Sequence, residues 1–140
     1  MQIKFVRKIR ADEMVKEFEK KYGSLEKLER YLERHPDDYS ALIDYEDWKH
    51  FIENPDTEIE EGEIIVGNIS FLTPQKLQIL EAIKRYQPKS IRELAEKVGR
   101  DIKNVYQDVM DLESAGLIEL QRVGKAKSAK LKYNEVVISI

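Results

Sequence analysis

GRDIKNVYQDVMDLESAGLIEL, residues 99–120, opens on a basic polar turn, runs into an amphipathic helix and stops at a glycine before a strand-like LIEL. Asp101 is placed to cap the helix, and Ile102, Val105, Val109 and Leu112 recur at helical spacing as its core stripe. Gly116 ends it. The polar residues are ordered against expectation. Arg100, Lys103, Asn104 and Gln107 crowd the front, whereas Asp108, Asp111 and Glu113 crowd the back. A helix dipole favours the reverse, with acids at the amino end and bases at the carboxyl end. The order points to an influence from outside the helix.

Upstream, Thr73 followed by Pro74 gives an N-cap with proline at the first helical position. The helix to about Tyr86 carries Leu77, Leu80 and Ile83 along one face, with Ile79 beside them. Ser90 and Glu93 match a capping box for IRELAEKV, which closes at Gly99. Downstream, LIELQRV reads as a strand, GKAKSAK as a turn carrying three lysines, and LKYNEVVISI as the returning strand. Helix, short helix, three-residue turn, longer helix and hairpin is the order of a winged helix-turn-helix, in which the second helix of the pair enters a major groove. Opposite the core stripe lie Lys103, Asn104 and Gln107. Amides there can form bidentate bonds to adenine, while Arg100 and Lys103 can reach guanine or phosphate. Lys125, Lys127 and Lys130 suit phosphates or the adjacent minor groove. Tyr106, at the border of core and exposed face, and Ser90, at the start of the preceding helix, complete the expected DNA-contacting set.

The first 70 residues read as an N-terminal helical extension, and residues 71–140 as the DNA-binding domain. MQIKFVRKI is a short strand or arm. Met14, Val15, Phe18 and Tyr22 mark a first helix ending at Gly23; Ser24 caps a second carrying Leu25, Leu28, Tyr31 and Leu32. A third spans about Asp38 to Ile52. Its apolar residues spread around more than half the circumference, which predicts cover on two sides. Leu42, Tyr45, Trp48, Phe51 and Ile52 are therefore expected in a dimer interface. ENPDTEIEEGE reads as an acidic turn or linker, and IIVGNISFL as a strand or extended segment. The overall expectation is an α+β chain, mainly α with a small β component.

A net charge of −3 argues against nucleic acid until the chain is divided. Residues 1–72 carry 11 Lys and Arg against 18 Asp and Glu, whereas residues 73–140 carry 13 against 9. Screening acts over about 8 Å in physiological salt, so an acidic half does not cancel a distant basic surface. The chain has no cysteine, which excludes disulfides and thiolate metal sites. Its two histidines, His35 and His50, complete no metal pattern. Asp44, Glu46 and Asp47 in IDYEDW have no companion nucleophile or phosphate loop and read as a solvated helix face. No enzyme, cofactor or metal is expected. The absence of a long apolar run or signal-like start predicts a soluble, cytoplasmic protein.

LTPQKLQILEAIKRYQPKSIRELAEKVGRDIKNVYQDVMDLESAGLIEL resembles the winged-helix regulators related to the MarR and ArsR groups. It is especially similar to small archaeal predicted regulators with the block GRDIKNVYQDV. The resemblance covers about residues 71–140. It implies a dimeric, double-stranded-DNA-binding transcription factor, with Arg100, Lys103, Asn104 and Gln107 in the recognition segment and Lys125 and Lys127 in the wing. A repressor acting as a homodimer is the leading expectation. The alternatives are an antitoxin whose acidic N-terminal half covers a basic protein partner, and a winged-helix module that binds protein instead of DNA.

Overall fold

The computed structural model of the chain describes residues 2–140. β1 (Gln2–Arg10) leads into α1 (Ala11–Tyr22), α2 (Leu25–Arg34) and α3 (Tyr39–Glu53). β2 (Glu58–Val66) follows, then a 3-10 turn (Ile69–Phe71), α4 (Pro74–Tyr86), α5 (Ile91–Val98) and α6 (Ile102–Ser114). β3 (Ile118–Val123), β4 (Ala126–Leu131) and β5 (Glu135–Ser139) complete the chain. Among the described residues the architecture is mixed α and β, as the patterning predicts.

The chain divides into two compact units, Lys8–Glu61 and a second made of the residues up to Arg7 together with Gly62–Ile140. This differs from a cut after residue 70. β1 up to Arg7 and the end of β2 go with the C-terminal unit because their apolar residues are needed there. Ile3 and Phe5 are 1 % and 3 % exposed and join Ile79, Ile83, Leu94, Val105, Val109, Leu112 and Ile118 in one core. The first 70 residues are thus not purely helical.

In the Lys8–Glu61 unit, α1, α2 and α3 pack around Phe18, Leu28, Trp48 and Phe51. Ser24 caps α2 by accepting from the Lys27 amide at 3.2 Å, and Asp38 caps α3 by accepting from the Ala41 amide at 3.1 Å. The apolar circumference of α3 has two fates. Ala41, Trp48 and Phe51 are buried against the other two helices, while Tyr39, Leu42, Ile43 and Ile52 remain exposed.

In the C-terminal unit the helix ends form as their residues dictate. Thr73 accepts from the Lys76 amide at 3.2 Å ahead of Pro74, and Ser90 accepts from the Glu93 amide at 3.0 Å. The Glu93 carboxylate reaches back to the Lys89 amide rather than that of Ser90, a box displaced by one residue. Gly99 closes α5 at φ +67°, a left-handed backbone that costs glycine nothing.

The strands depart from the sequence reading. GKAKSAK is not all turn: β3 and β4 pair from Ile118↔Leu131 to Val123↔Ala126, which leaves only Gly124 and Lys125 to turn. Gly124 has φ +62°, the positive value that the first central position of a type II′ hairpin requires. LKYNEVVISI is not one returning strand. Its first residue, Leu131, ends β4, and Glu135–Ser139 forms β5 on a different sheet, of order β2-β1-β5, antiparallel to β1 from Gln2↔Ser139 to Val6↔Glu135. Small residues made β4 look like loop. Ser128 and Ala129 are small because they are buried, Ser128 donating its hydroxyl to the Pro88 carbonyl at 2.8 Å.

Candidate nucleic-acid interface

α6 is anchored by Val105, Val109 and Leu112, all 0 % exposed. Asp101 caps it, accepting from the Lys103 amide at 2.7 Å. Ile102, expected in the core stripe, is instead 44 % exposed. It lies one turn ahead of the buried residues and lines a shallow cleft with Arg92, Glu96 and Arg100.

The polar front of the helix divides into engaged and unengaged groups. Lys103, Asn104 and Tyr106 are exposed, and none of their side chains has a polar partner among the described residues. Gln107 donates to Asp111 at 3.2 Å, which leaves its carbonyl and second N–H available. Arg100, expected to face DNA, is turned inward: its Nη2 donates to Asp108 at 2.8 Å with both side chains about one-fifth exposed. Its Nη1 is shielded from solvent with no hydrogen-bond partner among the described residues. Ser90, also expected to contact DNA, is half-buried and committed to its cap.

On the hairpin, Lys125 occupies the turn and Lys127 lies on β4, both exposed. Lys130 is half-buried and stands directly across from Glu119, a pairing that offsets its charge. Lys127 stands directly across from Arg122, which the sequence reading missed. Like charges in opposed positions are unfavourable. No acid pairs with Arg122, Lys125 or Lys127 among the described residues. The signal for Arg122 was its place in LIELQRV, two residues before the hairpin glycine.

A second missed residue is Lys76. It is 8 % exposed, its Nζ 3.3 Å from the Phe71 carbonyl, 3.5 Å from Asp111 and 4.1 Å from the centre of the Phe71 ring. Its spacing with Ile79 and Ile83, three and seven residues on, puts it on the buried stripe of α4, which the sequence already contained.

The residues expected in a dimer interface are divided in the Lys8–Glu61 unit. Trp48 and Phe51 do not face outward; they are 2 % and 9 % exposed, with Trp48 5.8 Å and Phe51 6.3 Å from Phe18 by ring centroids. Tyr45 donates its hydroxyl to Glu29 at 2.7 Å, and Leu42 and Ile52 stay exposed. A periodicity cannot tell cover by the same chain from cover by a partner. Asp44 of the acidic IDYEDW segment bridges helices, accepting from the Tyr22 hydroxyl and from Lys21 at 3.1 Å. Those bonds shift the donors. Lys21 is raised, chiefly by its bond to Asp44, and Tyr22 is raised by burial and then by its own bond to Asp44.

Residues 71–138, just short of half the chain, match the family model described as HVO_A0114, a family of unknown function. No curated protein matches the chain. Among the described residues no group of acids and histidines is arranged to hold a metal ion, and no helix is long and apolar enough to cross a membrane.

Proposed function

We propose that residues 71–140 form a winged helix-turn-helix that binds double-stranded DNA, and that the chain acts as a homodimeric, sequence-specific transcriptional regulator, a repressor by default. The observation that carries this reading is the unengaged polar front of α6, Lys103, Asn104 and Tyr106, in a unit whose hairpin holds the unpaired bases Arg122, Lys125 and Lys127. A helix that follows a three-residue turn is the element such proteins seat in a major groove. Asn104 and the remaining donor and acceptor of Gln107 suit adenine edges, Lys103 suits guanine or phosphate, and exposed Ile102 suits a thymine methyl group. The hairpin bases suit phosphates, where they position the protein without reading sequence. Arg100 is assigned a different role, holding the turn to α6 through Asp108. Titration of the full chain with DNA fragments selected from its source genome, repeated across salt concentrations, tests the reading.

A further inference from the structure

We propose that two copies of the chain join edge to edge through β5, making one continuous sheet across a two-fold axis. The proposal rests on the two-fold association in the reading above but not on DNA.

The sheet of order β2-β1-β5 has two edges of opposite character. The β2 edge carries Glu58, Glu60, Glu61 and Glu63 within nine residues, the kind of charged edge that resists pairing with another chain. The β5 edge, EVVIS, carries one charge, and Val136, Val137 and Ile138 are each 39–51 % exposed. An exposed, largely apolar edge with a single charge is a ready template for a further strand.

The occupant is a second copy because β5 is complementary to itself. Antiparallel pairing that uses all five residues centres on Val137. It sets Val137 against Val137, Val136 against Ile138 and Glu135 against Ser139, so no like charges meet. The same operation on β2 would oppose glutamates. β5 on β2 of the next copy would leave a free edge at each end and an open chain of copies rather than a closed dimer.

A pocket fits this register. An open pocket of about 150 Å³ lies beside the start of β5, its apolar lining including Phe5, Leu80, Leu117 and Val136 and its polar lining Glu81, Lys84, Asn134 and Glu135. In the same pairing the exposed Ile140 of the second copy falls opposite Asn134, and its Ile138 falls opposite Val136. Directly opposed residues share a face, so both isoleucines lie on the face that holds the pocket.

Val137 also stands across from Lys4 on β1. Val137→Glu therefore meets a lysine within its own copy and a second glutamate across the axis. Sedimentation of the full chain should show a micromolar dimer, and Val137→Glu should raise its dissociation constant about tenfold or more. An equimolar mixture of Val137→Glu and Val137→Lys should restore association, a result that misfolded variants would not give. The native chain has no cysteine, so Val137→Cys should form a reducible cross-linked dimer under mild oxidation, whereas Gln75→Cys on exposed α4 should not. A monomeric native chain would overturn the proposal. So would a Val137→Glu dimer as tight as the native one, which would move the contact elsewhere, for example to Leu42 and Ile52. DNA titration is read separately, so failure of DNA binding leaves these results standing.

Discussion

Asp108 and Asp111 sit in the carboxyl half of α6, where its dipole disfavours them, and each is held by a base from outside the helix. Arg100 reaches Asp108 from the preceding turn, and Lys76 reaches Asp111 from α4. The reversed charge order is thus answered largely inside the protein, where the sequence reading looked to DNA alone. Arg100→Ala should lower unfolding stability by about 1–3 kcal/mol, because it strands a mostly buried carboxylate. An unchanged urea midpoint would contradict that role. The residues left for a ligand behave differently by type. Asn104→Ala should weaken binding to the preferred DNA by about 1–3 kcal/mol and binding to random DNA little, since an amide reads base edges. Arg122→Ala, Lys125→Ala and Lys127→Ala should weaken both alike, each lowering the salt slope by about one unit. Titrations against both DNAs at two salt concentrations check it; equal losses for Asn104→Ala would remove base reading from that residue.

Among the elements, the three helices of Lys8–Glu61 carry a pH dependence that Trp48 can report, being the chain's one tryptophan and 2 % exposed. The pKa values of Lys21 and Tyr22 are both raised in the fold, that of Lys21 chiefly by its hydrogen bond to Asp44 and that of Tyr22 by burial and then by its own bond to Asp44. A raised folded pKa gives stability that is complete below the ordinary value and lost as pH rises through the folded one. The ordinary values are 10.5 and 10.0, so the loss belongs above pH 10. Asp38 is lowered by the Tyr31 hydroxyl and then by the Ala41 amide, so its contribution is present above 3.8 and is lost as pH falls through its lower folded value. The urea midpoint seen by Trp48 fluorescence should therefore decline at both extremes, and Asp44→Asn should flatten the alkaline side. A midpoint constant to pH 11 would refute the assignment. Where elements were legible, local chemistry was the reason. Ser24, Thr73, Ser90 and Asp101 cap helices as their types demand, and Gly99 ends one at positive φ. β4 was illegible because Ala and Ser lack strand propensity, whereas β5 was legible as a strand but its partner β1 was not, because that pairing is non-local. Arg100 was misplaced because charge type does not say whether a side chain turns inward.

Across the whole molecule, the two ends of the sequence meet in one sheet, and this changes what truncation does. Removing residues 1–70 deletes Ile3 and Phe5 from the C-terminal core and strips β5 of its partner β1. That truncation should unfold readily, by comparison with losses of about 2–5 kcal/mol for one large core side chain. Excising 8–61 and joining Arg7 to Gly62 through a short glycine linker should instead leave a cooperatively folded unit, since those residues share one core. Thermal unfolding of both proteins decides it; equal stability would contradict the division. The proposed binding of DNA by the C-terminal unit runs through phosphates and base edges. Its most direct test is the affinity of the full chain for selected double-stranded DNA as salt is varied. Neutralising Z phosphates gives a log–log slope near −0.9Z, so Lys103, Arg122, Lys125 and Lys127 on one protomer predict a slope of about −3 to −4 per half-site. A slope near zero, or no binding at low salt, would contradict DNA binding by this unit.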